Sequence, residues 1–212
     1  MKTLDQALAA TPYPAQWSRF IDFMRFVLPA ECVFDTHHPD DYDWVEMENV
    51  KGDSGGRTKY GIDQASHPTC NIAALTLDAA LNLYLHEAWI AAGSCYLPQG
   101  YGEFVCDVRI NGGHGPLMVQ EGLNTLGAGL LVDGWLGARS TAAMHQYGDA
   151  GVTASIARRD AYYQYLADNH PNDRQFLNGW KNRDAALAAW LKRNQALASH
   201  LAITLVQSSA MA

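Results

Sequence analysis

The chain has 212 residues, 48% of them hydrophobic and 17% charged, which suffices to bury the core of one domain or of a domain with an appendage. Its net charge of −7 gives no electrostatic basis for gripping nucleic acid or an anionic membrane. No apolar run is long enough for a transmembrane helix, and the opening "MKTLDQALAATPYPAQW" lacks the apolar core of a secretory signal.

In chain order, apolar residues at 17, 20, 21, 24, 27 and 28 form a helical stripe. Pro29 is expected to end that helix, because the residue before a proline is pushed out of the α region. Glu31 would then stand just beyond the helix C-terminus. "DTHHPDDYD" reads as a surface loop. "WVEMENV" alternates like a strand, "GDSGG" supplies a turn and "RTKYGI" returns, so a small hairpin is expected near 44–62. A helix follows from a Thr76 cap to about Ala92. "EFVCDVRING" is apolar and ends in the breaker "NGGHGP". Pro116 opens a helix through Leu126, Asp133-Gly134 makes a turn before a short helix, and Val152–Ala167 is a long one. The tail from "FLNGW" onward is helical as well. The four cysteines, Cys32, Cys70, Cys95 and Cys106, are widely spaced with no C-x-x-C pair. They read as free thiols or as one bridge, and neither a metal site nor a cofactor is implied. The class expected from this pattern is mainly α (α+β), with one small hairpin.

"GDSGG" alone is the nucleophile motif of trypsin-like serine proteases. That fold needs two β-barrels, whereas this chain is mostly helical in pattern. The upstream His37 and His38 lie in an acidic loop, and a triad is defined by geometry and roles that a five-letter match does not supply. The motif reads instead as a tight turn, since paired glycines tolerate positive φ.

Glu31 is the carboxylate with the strongest claim to chemistry. It is anchored to an amphipathic helix whose C-terminal partial negative charge disfavours a second one. Its neighbours Cys32, Val33 and Phe34 are apolar. Both effects would raise its pKa and keep it protonated, as a general acid requires. A glycosidase needs a second group, and the hairpin offers Asp53, Thr58, Glu46 and Glu48. Asp53 is equally a turn-forming Asp, and Glu46 and Glu48 fit the wet face of an edge strand.

"VLPAECVF" followed by "GDSGGRTKYGID" resembles glycoside hydrolase family 108, the phage and bacterial N-acetylmuramidases. That family carries a helix ending in E-G-G-Y and then D-P-G-G-x-T-x-x-G-I. "CDVRINGGHGPLMVQEGLNTLG" is similar to the family's following stretch. "VDGWLGARSTAA" and "ARRDAYYQYLADNHPNDRQFLNGWKNR" are similar to its C-terminal peptidoglycan-binding segment. The resemblance implies a lysozyme-like helical domain with the hairpin lining its cleft. It places Glu31 at the catalytic glutamate, with Asp53 and Thr58 facing it. Glu48, Tyr60 and Asn111, on or beside these motifs, are the candidate substrate-binding residues. Ser54 replaces a turn proline. Two departures stand out: Cys32 and Val33 replace the two glycines, and the spacing from Glu31 to Asp53 is longer than the family's. That spacing keeps open a register with Glu46 or Glu48 as the acid.

The implied protein is a peptidoglycan hydrolase of endolysin or muramidase type that cuts β-1,4 bonds, with Glu31 as general acid. Residues 1–126 would be the catalytic region and 127–212 the helical peptidoglycan-binding-like region, packed into the same globular unit. The expected partner is the peptidoglycan glycan strand, with no nucleic acid and a monomeric state. The chain would be made in the host cytoplasm and act on the wall after release or export. The rival readings are an inactive wall-binding or phage structural module and a hydrolase of chitin or chitosan.

Overall fold

The structure, a computed structural model, describes residues 2–9, 17–49 and 55–210, with side chains through residue 194. The chain divides into two compact units, Met1–Cys95 and Tyr96–Ala212. Residue 126, where the sequence reading divides the chain, is the C-cap of a helix inside the second unit.

Unit one begins with α1 (Leu4–Ala9) and α2 (Ser18–Glu31). Phe20, Phe23, Met24, Val27 and Leu28 recur at helical spacing along α2 and are fully buried. Phe20 and Phe23 each set their rings 6.0 Å from that of Trp89. Pro29 does not stop the helix as expected; α2 runs through it to Glu31, and Cys32 is the C-cap. Each large apolar side chain buried here contributes about 1.5–3 kcal/mol. Together they outweigh the roughly 3 kcal/mol that an interior proline costs. Glu31 is therefore the last residue of the helix rather than a residue beyond it.

Three short antiparallel strands follow, β1 (Glu48–Asn49), β2 (Arg57–Lys59) and β3 (Ile62–Asp63), in the order β1-β2-β3. The single expected hairpin thus becomes two. The cause is a two-residue turn at Tyr60 and Gly61, which join the paired Lys59 and Ile62. Both have positive φ, 55° and 74°, as a type I′ turn requires. Next, α3 (Leu77–Leu83) starts at the expected Thr76 cap, whose Oγ1 accepts from Ala79 N at 3.3 Å. It passes directly into a π-helical segment, Tyr84–Ile90.

Unit two is built from α4 (Tyr101–Asn111), α5 (Gly115–Thr125), α6 (Ala138–Asn169) and α7 (Leu177–Ala210). Within α6, Gly148 is non-helical at φ 48° and ψ −129°, so the two helices read from the sequence meet there at a kink. Tyr101 through Val108 of α4 are all buried, so its acidic residues need partners. Glu103 accepts from Gly100 N at 2.7 Å at the helix start. Asp107 accepts from Arg159 Nη1 at 2.8 Å and from Arg183 Nη2 at 2.9 Å. Arg159, fully buried, also pairs with Asp184. Where α5 meets α6, a Cβ on Gly122 would lie 2.7 Å from Ser155 N, so only glycine allows that approach.

Removing one member of a buried ion pair strands the other, at a cost of about 3–5 kcal/mol. Asp107→Ala should therefore lower the unfolding free energy of unit two by about that much, read from the shift of its denaturant midpoint. An unchanged midpoint would show that Arg159 finds other partners. Burial pushes Asp184 up to about 7, against the pull of Arg159 and with Asp160 adding to the rise. An acid whose pKa is higher in the fold holds its proton more tightly there. The stability it contributes is complete below the ordinary carboxylate pKa of about 4 and is lost as pH rises through about 7. Melting temperature should fall between about pH 4 and pH 7, and Asp184→Asn should flatten that slope.

Candidate active site

The site in unit one is set by the end of α2 and the β2–β3 turn. Glu31 is half-buried. A Cβ on Gly61 would lie 2.8 Å from both Cβ and Oε2 of Glu31 and 2.5 Å from the Tyr84 hydroxyl. The glutamate carboxyl and the tyrosine hydroxyl thus converge over the bare backbone of Gly61. Tyr84 Oη donates to Tyr60 O at 2.8 Å, which ties the turn to the start of the π-helix. Such π segments are rare and often mark functional sites. Next to Glu31, burial and then the Glu31 charge push the Cys32 thiol up to about 12. It stays a thiol, so Cys32 offers neither a nucleophile nor a second charge. Of the apolar wall expected around Glu31, Cys32 and Phe34 are half-buried, whereas Val33 is exposed.

Strand register aligns further polar groups. Thr58 pairs with Glu48 on one side and Asp63 on the other. Directly opposed residues of antiparallel strands share a face, so Glu48, Thr58 and Asp63 form one row. Thr58 and Glu48 are half-buried, and Glu46 is exposed. Burial tends to raise the Asp63 pKa, but bonds from Ser66 and Ala65 and the nearby His67 outweigh it and hold the carboxyl below its usual range. Ser66 N donates to it at 2.8 Å.

The extra residues between Glu31 and the hairpin close on themselves. Phe34 bridges Val45, Asp35 N donates to Trp44 O at 3.1 Å, and Glu46 N donates to Val33 O at 2.8 Å. Inside the excursion the His38 and Trp44 rings stack at 4.2 Å. The chain re-emerges at Glu46 beside the segment that follows Glu31. The long spacing is therefore a loop inserted between adjacent points of the fold.

Asp53 and Ser54 lie outside the described residues. Tyr60 is buried, its hydroxyl directed to Tyr42 O at 3.4 Å, and burial raises its pKa to about 12. Its contacts are those of a packing residue behind the turn. Asn111, in unit two, is exposed at the end of α4, and its Nδ2 donates to Asp107 O at 3.0 Å. Sequence reasoning missed Tyr84, because a tyrosine in an apolar helical run looks like core. It also missed Asp63, whose register was hidden by the unforeseen third strand. All four cysteines are free. Among the described residues, no three His, Cys, Asp or Glu side chains cluster as a metal ion would need, and no helix is long and apolar enough to cross a membrane.

Residues 46–113 match the family model described as Glycosyl hydrolase 108, and residues 114–185 match the one described as Predicted Peptidoglycan domain. No curated protein matches the chain. A solved structure, SagA of Brucella abortus, shares the fold with a TM-score of 0.61 at 22% identity, over 82% of this chain and 94% of that one. Together these define a mainly-α, lysozyme-like glycoside hydrolase that acts on peptidoglycan. The match to the glycosyl hydrolase 108 model ends at residue 113, and the match to the peptidoglycan-domain model begins at the next residue. Glu31 precedes the matched segment; Glu48, Thr58, Tyr60 and Asn111 fall within it.

Gly61 and Gly56 test the contact with Glu31. Their φ values, 74° and 73°, are alike, but a Cβ on Gly56 would meet only Gln64 Cβ, at 3.9 Å. Gly56→Ala should cost about 1 kcal/mol for the left-handed backbone alone. Gly61→Ala should cost that plus roughly 1–3 kcal/mol of overpacking and should displace the Glu31 carboxyl. Thermal melts and hydrolysis rates of the two variants measure the difference. Equal losses would show that Glu31 does not depend on the bare turn.

Proposed function

We propose that Glu31 is the general acid of this peptidoglycan hydrolase, protonating the glycosidic oxygen as the β-1,4 bond breaks. The observation that carries the reading is the convergence of the Glu31 carboxyl and the Tyr84 hydroxyl over Gly61. A helix end and a hydrogen-bonded turn fix the carboxyl, and a rigid acid at a preset position is what proton donation to a leaving group needs. Tyr84 holds the turn beneath Glu31 through its bond to Tyr60 O. Asp53 and Thr58 organise the attacking water or the developing oxocarbenium charge, with Glu48, in register with Thr58, contributing to the substrate site. Glu46 and Glu48 are the competing acids; Glu46 is exposed and Glu48 sits on a two-residue strand, neither held as Glu31 is. The endolysin role and the monomeric state belong to the same reading and rest on the family resemblance.

Glu31→Gln cannot donate the proton. It should fold normally and lose on the order of 10²–10⁴-fold in release of reducing ends from purified sacculi. Near-normal turnover in that variant, with Glu48→Gln inactive, would move the acid to β1. Asp53→Asn keeps the shape of its side chain and removes its charge, so it should lower kcat by about 10²-fold more than it alters KM. Thr58→Val should be milder. An Asp53→Asn protein that melts earlier but turns over normally would make Asp53 a turn residue only.

A further inference from the structure

The loop between α5 and α6 in unit two holds a tryptophan out to solvent by design of its hydrogen bonds. Gln120, buried at 1% exposure, accepts from Asp133 N at 3.0 Å and Gly134 N at 2.8 Å. Its Nε2 donates to Asp133 Oδ1 at 2.8 Å and Trp135 O at 3.0 Å. Asn124 fixes the loop's other arm, donating to Leu130 O at 2.8 Å and accepting from Leu130 N. A Cβ on Gly137 would lie 2.8 Å from Trp135 Nε1, so the indole rests on bare backbone. Yet Trp135 and Leu131 are each 77% exposed. Exposed apolar side chains are ordinary when scattered and mobile. On a loop whose backbone is fixed by this many internal bonds, exposed apolar side chains are presented at set positions, which lowers the ordering cost of binding.

The platform borders a groove. A Cβ on Gly134 would touch Leu117 Cδ2 at 3.4 Å, and Leu117 lines a concavity of about 310 Å³ with His114, Tyr162 and Tyr165. An Arg158–Glu121 ion pair at 3.0 Å lies in its wall. Apolar and aromatic walls with a few polar groups are the usual composition of a ligand site, and this volume is at the lower end of the usual range.

We infer that Trp135, with Leu131 and the adjoining groove, is a sugar-stacking platform that holds the pyranose rings of a peptidoglycan glycan strand. This deepens the proposed function and rests on it. The loop lies inside the predicted peptidoglycan domain, residues 114–185. The less polar face of a pyranose ring presents C–H groups that pack on an indole, whose electron-rich face attracts their partial positive charge. The net charge of −7 gives no long-range attraction to a glycan whose MurNAc residues carry carboxylates, so the rings must be held by short-range contacts such as stacking.

The test is binding of the full chain to purified sacculi and to a GlcNAc–MurNAc tetrasaccharide. The Glu31→Gln background keeps the glycan intact, and release of reducing ends by the wild type is measured separately. Trp135→Ala, at an exposed site, should weaken binding about tenfold or more with an unchanged melt. Trp135→Phe should restore part of it, and Gln120→Ala should weaken binding with Trp135 present. Undiminished binding by Trp135→Ala, with the wild type hydrolysing sacculi, overturns the platform and leaves the hydrolase reading in place. A wild type that neither binds nor cuts overturns both. If Trp135→Ala instead abolishes self-association in sedimentation while glycan binding stands, the face belongs to a second copy of the chain and the inference falls.

Discussion

Unit one turns on the absence of one side chain. Gly61 lets the end of α2 and the hydroxyl of Tyr84 reach the same point above the β2–β3 turn. Any other residue would have to push both away while holding a left-handed backbone that L side chains resist. Tyr60 shares that backbone region without being a glycine. The bond from Tyr84 Oη to its carbonyl, together with burial of its ring, offsets the cost. The turn is thus held from both sides, by a helix C-terminus and by the first residue of a π-helix. A carboxyl attached to such a frame keeps its position without the whole sheet being large or especially stable.

The same frame explains how the chain accepts a long insertion before the hairpin. Flexible loop length costs little in closure entropy, since each doubling adds only about 0.6 kcal/mol. Here the ends are clamped by the Phe34–Val45 bridge and the Glu46 N to Val33 O bond. The excursion can vary without moving Glu31 relative to the strands. It also accounts for the closeness of the rival acids in space. Glu46 returns beside Val33, but its side chain is exposed on the irregular segment before β1, while Glu31 ends a helix whose inner stripe is fully buried.

Much of this was legible from periodicity and caps. The α2 stripe, the Thr76 cap, the Pro116 start and the break between two helices near Gly148 are local signals, and local signals survive into the fold. The extent of α2 past Pro29 was not legible, because the packing that overrides a proline comes from residues distant in sequence, Trp89 among them. The third strand was hidden because "RTKYGI" looks continuous; only the positive φ at Tyr60, which no sequence rule favours for tyrosine, splits it. At the candidate site, the helix end that carries Glu31 was visible to within one turn. Tyr84 was invisible because its role arises from contact with a turn formed more than twenty residues earlier.

An acidic enzyme on an anionic, insoluble polymer faces a problem that its catalytic carboxyl cannot solve. Long-range electrostatics works against approach, and screening at physiological salt only removes the penalty beyond about 8 Å. Retention on the polymer must then come from short-range contacts that ignore net charge. Stacking on an indole has that property, and its strength depends on the ring being held ready rather than on the field around it. The bonds around Gln120 supply that readiness in the second unit, as the bare backbone of Gly61 does for the proposed acid, Glu31, in the first. In unit two a buried amide bonded to three backbone groups and one carboxylate holds the Trp135 loop, and in unit one a single hydroxyl–carbonyl bond ties the turn beneath Glu31 to Tyr84.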